Sequence, residues 1–165
     1  MSTETYHIGV LAVQGDFKEH IDALNELEHV EAVPVKTIQQ IEACDGLVIP
    51  GGESTTIGKL CDRFELDTAI GALNEAGRPI WGTCAGLILL AKDIVDSDQW
   101  RLGYMDVEVE RNAFGRQVDS FETDLEIAGW DGGTARGVFI RAPYVRAVGD
   151  GVDILSTYED KIVMV

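Results

Sequence analysis

The residues best suited to chemistry are Gly82-Thr83-Cys84-Ala85-Gly86, set between the apolar runs Pro79-Ile80-Trp81 and Leu87-Ile88-Leu89-Leu90. A cysteine between small residues, with a glycine two positions away on either side, is the pattern of a nucleophile elbow. In such a turn a strand passes sharply into a helix and presents one side chain at its tip, so the neighbours must be small. The reactive form of cysteine is the thiolate. The helix that follows, expected over Ala85–Lys92, aims its N-terminal N–H groups at the sulfur and favours that form. The N–H of Ala85, next after the nucleophile, is placed to donate to an oxyanion.

A second constellation is Pro50-Gly51-Gly52-Glu53-Ser54-Thr55. Pro50 restricts the end of a strand, two glycines free the backbone, and Ser54 or Thr55 is suited to cap the next helix. A loop of this kind presents backbone N–H groups to an anion or an oxyanion. It is not a phosphate-binding P-loop, because GxxxxGK[ST] is absent.

Both segments need elements to hold them, and the first half of the chain supplies these in alternation. Strands are expected at His7–Gln14, Ala32–Val35, Gly46–Pro50 and Pro79–Trp81. Helices are expected after Asp16, with Phe17, Ile21, Leu24 and Leu27 on one face, after Glu53, and over Asp67–Glu75. Alternating strands and helices imply an open, mostly parallel sheet flanked by helices, a three-layer Rossmann-like α/β fold. Ligands bind such sheets beyond the carboxyl ends of the strands. Three loops lie there, at Gln14-Gly15-Asp16, Gly51–Thr55 and Gly82–Gly86, and one crevice gathers them. The second half reads as a β-rich extension. Strands are expected at Met105–Glu110, Ser120–Ile127 and Gly137–Ile140, with a hairpin of Asp153–Tyr158 and Lys161–Val165 about Glu159-Asp160.

Composition narrows the function. The 165 residues are 45% hydrophobic and 25% charged, an ordinary globular balance. Lys and Arg total 13 against 29 Asp and Glu, a net charge of −16. So acidic a chain is a poor partner for nucleic acid, whose phosphates need a basic face. The acidity also suits the surface of a protein from a salt-rich cytosol. No apolar run approaches the roughly 20 residues that span a bilayer. The N-terminus carries no basic, apolar leader, so neither a membrane nor an exported location is expected, and a cytoplasmic one is. Cys44, Cys61 and Cys84 lack CxxC spacing, which argues against a disulfide framework and against structural zinc. Cys44 and Cys61 are expected to be buried as small apolar residues.

Five segments together carry a resemblance: Ile8–Asp16 (IGVLAVQGD), Ile49–Thr55 (IPGGEST), Gly82–Lys92 (GTCAGLILLAK), Val109–Glu122 (VERNAFGRQVDSFE) and Gly137–Pro143 (GVFIRAP). The chain resembles the glutaminase subunits of glutamine-dependent pyridoxal 5′-phosphate synthases, which are class I, triad-type glutamine amidotransferases. GxCxG marks only the wider class, whereas the fourth and fifth segments are more specific. The resemblance implies that Cys84 is the nucleophile attacking the side-chain amide of L-glutamine. It implies that Gly51 or Gly52 joins Ala85 in the oxyanion hole, and that Gly51, Gly52, Glu53, Ser54, Arg111, Ile140 and Arg141 contact the substrate. An arginine can hold the substrate carboxylate with two hydrogen bonds, and Glu53 can meet its ammonium. The resemblance also implies no metal and no organic cofactor. The expected partner is a synthase subunit, in a large heteromeric complex that receives the ammonia.

The family completes its triad with a histidine and a glutamate in a segment resembling S-F-H-P-E. No such pair occurs among these residues, whose histidines are His7, His20 and His29. The sequence thus reads as a single amidotransferase domain, 1–165, short of that segment. Other readings of the same residues are a non-catalytic paralogue that only binds the synthase, a class I glutaminase of another pathway such as histidine biosynthesis, and an elbow hydrolase. His20, one turn into the first helix at core spacing with Phe17 and Leu24, is nearest the crevice and is expected to be a packing residue.

Overall fold

Strands β1 (Tyr6–Leu11), β2 (Val30–Val35), β3 (Gly46–Ile49) and β4 (Ile80–Gly82) form one parallel sheet in the order β2-β1-β3-β4. The coordinates are a computed structural model that describes residues 4–111 and 120–165. The middle of the VERNAFGRQVDSFE segment, 112–119, lies outside the described residues. The chain forms two compact units, one of Met1–Leu90 with Gln99–Leu102 and one of Ala91–Asp98 with Gly103–Val165.

The first unit has the expected three layers. Strand β3 is buried along its whole length, as its unbroken apolar run implies for a strand covered on both faces. Along β1, Val10 faces a cluster with Ala32 and Val48, against which Phe17, Ile21 and Leu24 of α1 (Phe17–Leu24) pack. Leu11 and Ile49 face the larger core, with Ile57 and Cys61 of α3 (Ser54–Arg63), Ala69, Ile70 and Leu73 of α4 (Leu66–Glu75) and Leu89 of α5 (Ala85–Leu90). Fully burying one such Ile or Leu side chain contributes about 1.5–3 kcal/mol. Pro34 faces Val10 on the edge strand β2, where its missing N–H breaks no ladder with an outer neighbour.

Several boundaries differ from expectation. Strand β1 stops at Leu11 rather than Gln14, so Ala12–Gln14 belongs to the loop that reaches the crevice. Helix α1 ends at Leu24, and Leu27 is exposed rather than on its apolar face. A short helix, α2 (Ile38–Glu42), appears where none was expected. It is held by a capping box in which Thr37 accepts from the Gln40 N–H and Gln40 reaches back to the Thr37 N–H. The elbow helix ends at Leu90 instead of Lys92. The Leu102 N–H serves the Leu89 carbonyl, and Ala91–Ile94 continues as strand β5, paired with β6 (Met105–Glu110).

The second unit is the expected β-rich half. Its larger sheet runs β10-β11-β9-β6-β5, with an unforeseen strand β9 (Tyr144–Val148) between β6 and β11 (Lys161–Met164). Strand β10 (Ser156–Tyr158) pairs antiparallel with β11 about Glu159 and Asp160, both at positive φ as the tight hairpin requires. Strands β7 (Phe121–Glu126) and β8 (Thr134–Phe139) form a separate antiparallel pair. Phe121 and Phe139 stack across it at 4.8 Å.

Candidate active site

Cys84 sits at φ 50°, in the left-handed region, at the turn from β4 into α5. For a residue with a side chain this conformation stores roughly 1–3 kcal/mol and persists only where the surroundings impose it. Here they do. A Cβ on Gly82 would lie 2.5 Å from the Gly86 carbonyl carbon, and one on Gly86 would lie 2.0 Å from the Ile49 carbonyl oxygen. The two glycines are therefore required by backbone contact, one across the elbow and one against β3. The Thr83 N–H donates to the Ile49 carbonyl (3.0 Å), and the Thr83 carbonyl accepts from the Gly86 N–H (2.8 Å). Cys84 thus follows a residue whose main chain is anchored on both sides.

The three cysteines divide sharply. Cys44 and Cys61 are buried, as expected, and burial pushes both thiols up, Cys61 to about 12. Both are held protonated and unreactive. Cys84 is half-buried. Ala85 is the first residue of α5, so its N–H is among those that no carbonyl of the helix can serve. The helix is six residues long, shorter than the sequence implied, so its pull on an anion comes from these first-turn N–H groups.

The three βα loops do meet. A Cβ built on Gly51 would lie 3.5 Å from Cys84 Cβ, so the glycine lies beside the cysteine. Its carbonyl accepts from the Asp16 N–H (2.9 Å). Gly15, at φ 101°, lets the loops touch, since a Cβ there would lie 2.0 Å from that same carbonyl oxygen. The Glu53 N–H donates to Gln14 Oε1 at 2.9 Å, tying the first loop to the second. The loop that the sequence placed at the crevice thus joins the site through the side chain of Gln14 and the backbone of Asp16. Their position between a strand and a helix was the available signal.

Two roles in the second loop change. Glu53, not Ser54 or Thr55, caps α3, and its carboxylate accepts from the Thr55 hydroxyl (2.9 Å) and N–H (3.4 Å). Ser54 is buried and donates its hydroxyl to Gln99 Oε1 (3.2 Å), so it supports the loop from beneath. Cys84, Ala85, Gly51, Gly52, Glu53 and Ser54 all lie in the first unit, around one turn. The other expected contacts belong to the second unit. Arg111 is half-buried immediately after β6, and Ile140 and exposed Arg141 follow β8, Arg141 at φ 46°.

His20 is not simply a packing residue. From α1 its Nε2 lies 2.9 Å from Thr83 Oγ1, and its ring meets Trp81 edge-on at 5.5 Å. Burial holds the imidazole below its usual value, against the weaker opposing pull of Glu19 and Asp16. His7 pairs with Glu31 and accepts no role at the crevice, and His29 forms the positive-φ turn before β2. Among the described residues no cluster of three or more His, Cys, Asp or Glu could hold a metal ion, and no helix is long and apolar enough to cross a membrane.

A half-buried cysteine at positive φ where a strand turns into a helix, beside a glycine loop, has the geometry suited to acyl transfer through a covalent intermediate. Comparison with known proteins shows the family. The model of the SNO glutamine amidotransferase family matches residues 10–165. The chain is 54% identical to pyridoxal 5′-phosphate synthase subunit PdxT of Moorella thermoacetica over 158 residues, 96% of this chain and 84% of that protein. It is 55% identical to the PdxT of Geobacillus kaustophilus, over 94% of this chain and 79% of that one. A crystal structure of a glutamine amidotransferase superposes with a TM-score of 0.87 at 49% identity, covering 94% of this chain and 82% of that chain. PurLQS from Thermotoga maritima shares the fold alone, with a TM-score of 0.64 at 15% identity over 97% of this chain and 77% of that one.

Proposed function

The chain belongs to the SNO glutamine amidotransferase family, and from that premise we propose that it is the glutaminase subunit of a pyridoxal 5′-phosphate synthase. It hydrolyses L-glutamine to glutamate and ammonia and passes the ammonia to a synthase subunit for vitamin B6 synthesis. The observation that supports this reading is the Cys84 elbow at φ 50°, with Gly51 so placed that a Cβ built on it would lie 3.5 Å from Cys84 Cβ.

In the proposed reaction the Cys84 thiolate adds to the carboxamide carbon of glutamine, and the C=O electron pair moves onto oxygen. The N–H of Ala85 and an N–H of the Gly51-Gly52 segment stabilise that oxyanion. Collapse breaks the C–N bond and, with a proton gained by nitrogen, releases ammonia and leaves a thioester on Cys84. Water then adds to the thioester carbon, the C–S bond breaks, and glutamate leaves with the thiolate restored. The family resemblance gives the proton transfers to a histidine–glutamate pair, and we assign them to none of His7, His20 or His29. Glu53, Arg111 and Arg141 are the groups proposed to hold the charged end of glutamine, with Ser54, Ile140 and Gly52 shaping its seat. A cytoplasmic location and a heteromeric complex that keeps ammonia from escaping complete the proposal.

The decisive experiment replaces the nucleophile with the synthase subunit present. Cys84→Ala should abolish glutamine-driven pyridoxal phosphate formation, by about 1,000-fold or more, while ammonia-driven formation by the partner stays intact. A variant that matches the parent in both assays would leave only a docking role.

A further inference from the structure

Thr83 is the residue from which the strained backbone of Cys84 departs, and its main chain is pinned twice, to Ile49 and to Gly86. Neither bond fixes its side chain or the face of β4 that carries it. A third anchor does. His20 stands on α1, 63 residues earlier in the chain, and brings Nε2 to within 2.9 Å of Thr83 Oγ1. The same ring lies edge-on to Trp81, two residues earlier on β4, with an interplanar angle of 79°. Trp81 is 53% exposed and β4 is an outer strand of the sheet, so this face of the elbow is at the sheet's edge. The two contacts grip Trp81 and Thr83, whose side chains project either side of Gly82. The α1 segment also holds the opposite wall of the site, through the Asp16 N–H on the Gly51 carbonyl.

We propose that His20 is a positioning residue for the nucleophile, which by bonding Thr83 and seating its ring on Trp81 fixes the turn that presents Cys84. It need not touch substrate. An isolated hydrogen bond contributes modestly to folding, but small displacements of a reacting group are costly, so the effect falls on turnover more than on stability. The polar partner matters as well as the ring. A purely apolar side chain at position 20 keeps the packing and lets the Thr83 hydroxyl swing free.

The proposal rests on Cys84 being the nucleophile, and its test separates the two. In the complete chain, alkylation of Cys84 by iodoacetamide, followed by peptide mapping, requires no glutamine chemistry. His20→Phe, which keeps a ring against Trp81 and removes Nε2, should slow Cys84 alkylation roughly tenfold. Thr83→Val should do the same, and the double variant should be no slower than either, because both remove one interaction. His20→Gln, with a polar group at similar reach, and Thr83→Ser should recover most of the rate. With the synthase present, His20→Phe should lower kcat for glutamine and leave KM unchanged. If His20→Phe does not fold, Thr83→Val carries the test, since it leaves the ring contact in place. Parental alkylation rates in Thr83→Val, additive losses in the double variant, or equal losses in His20→Gln with melting temperature falling in step would overturn the proposal. An unmodified protein that releases no glutamate beside its synthase, yet shows the expected alkylation pattern, would overturn the glutaminase reading alone.

Discussion

The two units hold their functional residues by different physics. In the first, position is set by backbone against backbone: the Gly86 Cα against the Ile49 carbonyl, Gly15 against Gly51, and Thr83 bonded to two main chains. In the second, strands β6 and β7 bury only two and one residues, and the exposed face of the β7–β8 pair carries ion pairs of Arg136 with Glu122 and Asp124. The substrate-contacting candidates there, Arg111 and Arg141, stand just past strand ends on side chains with many rotamers. The contrast suggests a division of labour. The reacting atom needs sub-ångström placement and is held by parts that cannot rotate. The arginines proposed to recognise a charged substrate can adapt, being carried on long side chains.

Glycine substitutions should break this contrast most strongly. Gly86→Ala forces a Cβ to within 2.0 Å of a backbone oxygen that cannot move without moving β3. It should cost about 3 kcal/mol or more, read as a large drop in urea midpoint. Gly133, in the second unit at φ 86°, has nothing within 4 Å of its Cβ position. Gly133→Ala should therefore cost only about 1 kcal/mol, the conformational term alone.

Titration sharpens the comparison, because all three histidines lie in the first unit. Burial keeps the His20 imidazole below its ordinary value of 6.5, so as pH falls the unfolded chain takes up this proton before the folded one. The stability tied to neutral His20 is present above that value and is lost as pH falls through it. Urea midpoints at about pH 7.5 and about pH 5.5 should differ, and His20→Gln should reduce the difference. The smallest effect is expected at the exposed ion pairs of β7 and β8. Arg136→Ala should leave the urea midpoint nearly unchanged, and what shift remains should shrink with added salt.

Much of the first unit was legible in the sequence because its signals are local. Apolar runs marked β1, β3 and β4, and GxCxG between two of them marked the elbow. The misses have specific causes. Helix α2 is only five residues long with one buried side chain, and its T-x-x-Q capping box was the signal to read. Ala91-Lys92 favours helix by propensity, and only pairing with the distant β6 turns it into strand. Strand β9 carries a single fully buried residue, Val145, and owes its form to two partners far along the chain. Glu53 displaced Ser54 as the cap because Ser54 is engaged by Gln99, 45 residues on. The bond from His20 to Thr83 depends on how α1 lies on the sheet, which no local pattern encodes.

The hydrogen bond from the Asp16 amide to the Gly51 carbonyl makes one backbone proton a clock for the loop opposite the sulfur. That proton can exchange with solvent only when the carbonyl withdraws. Its exchange rate therefore times how often the Gly51 loop lifts from its seat, without any label on the loop itself.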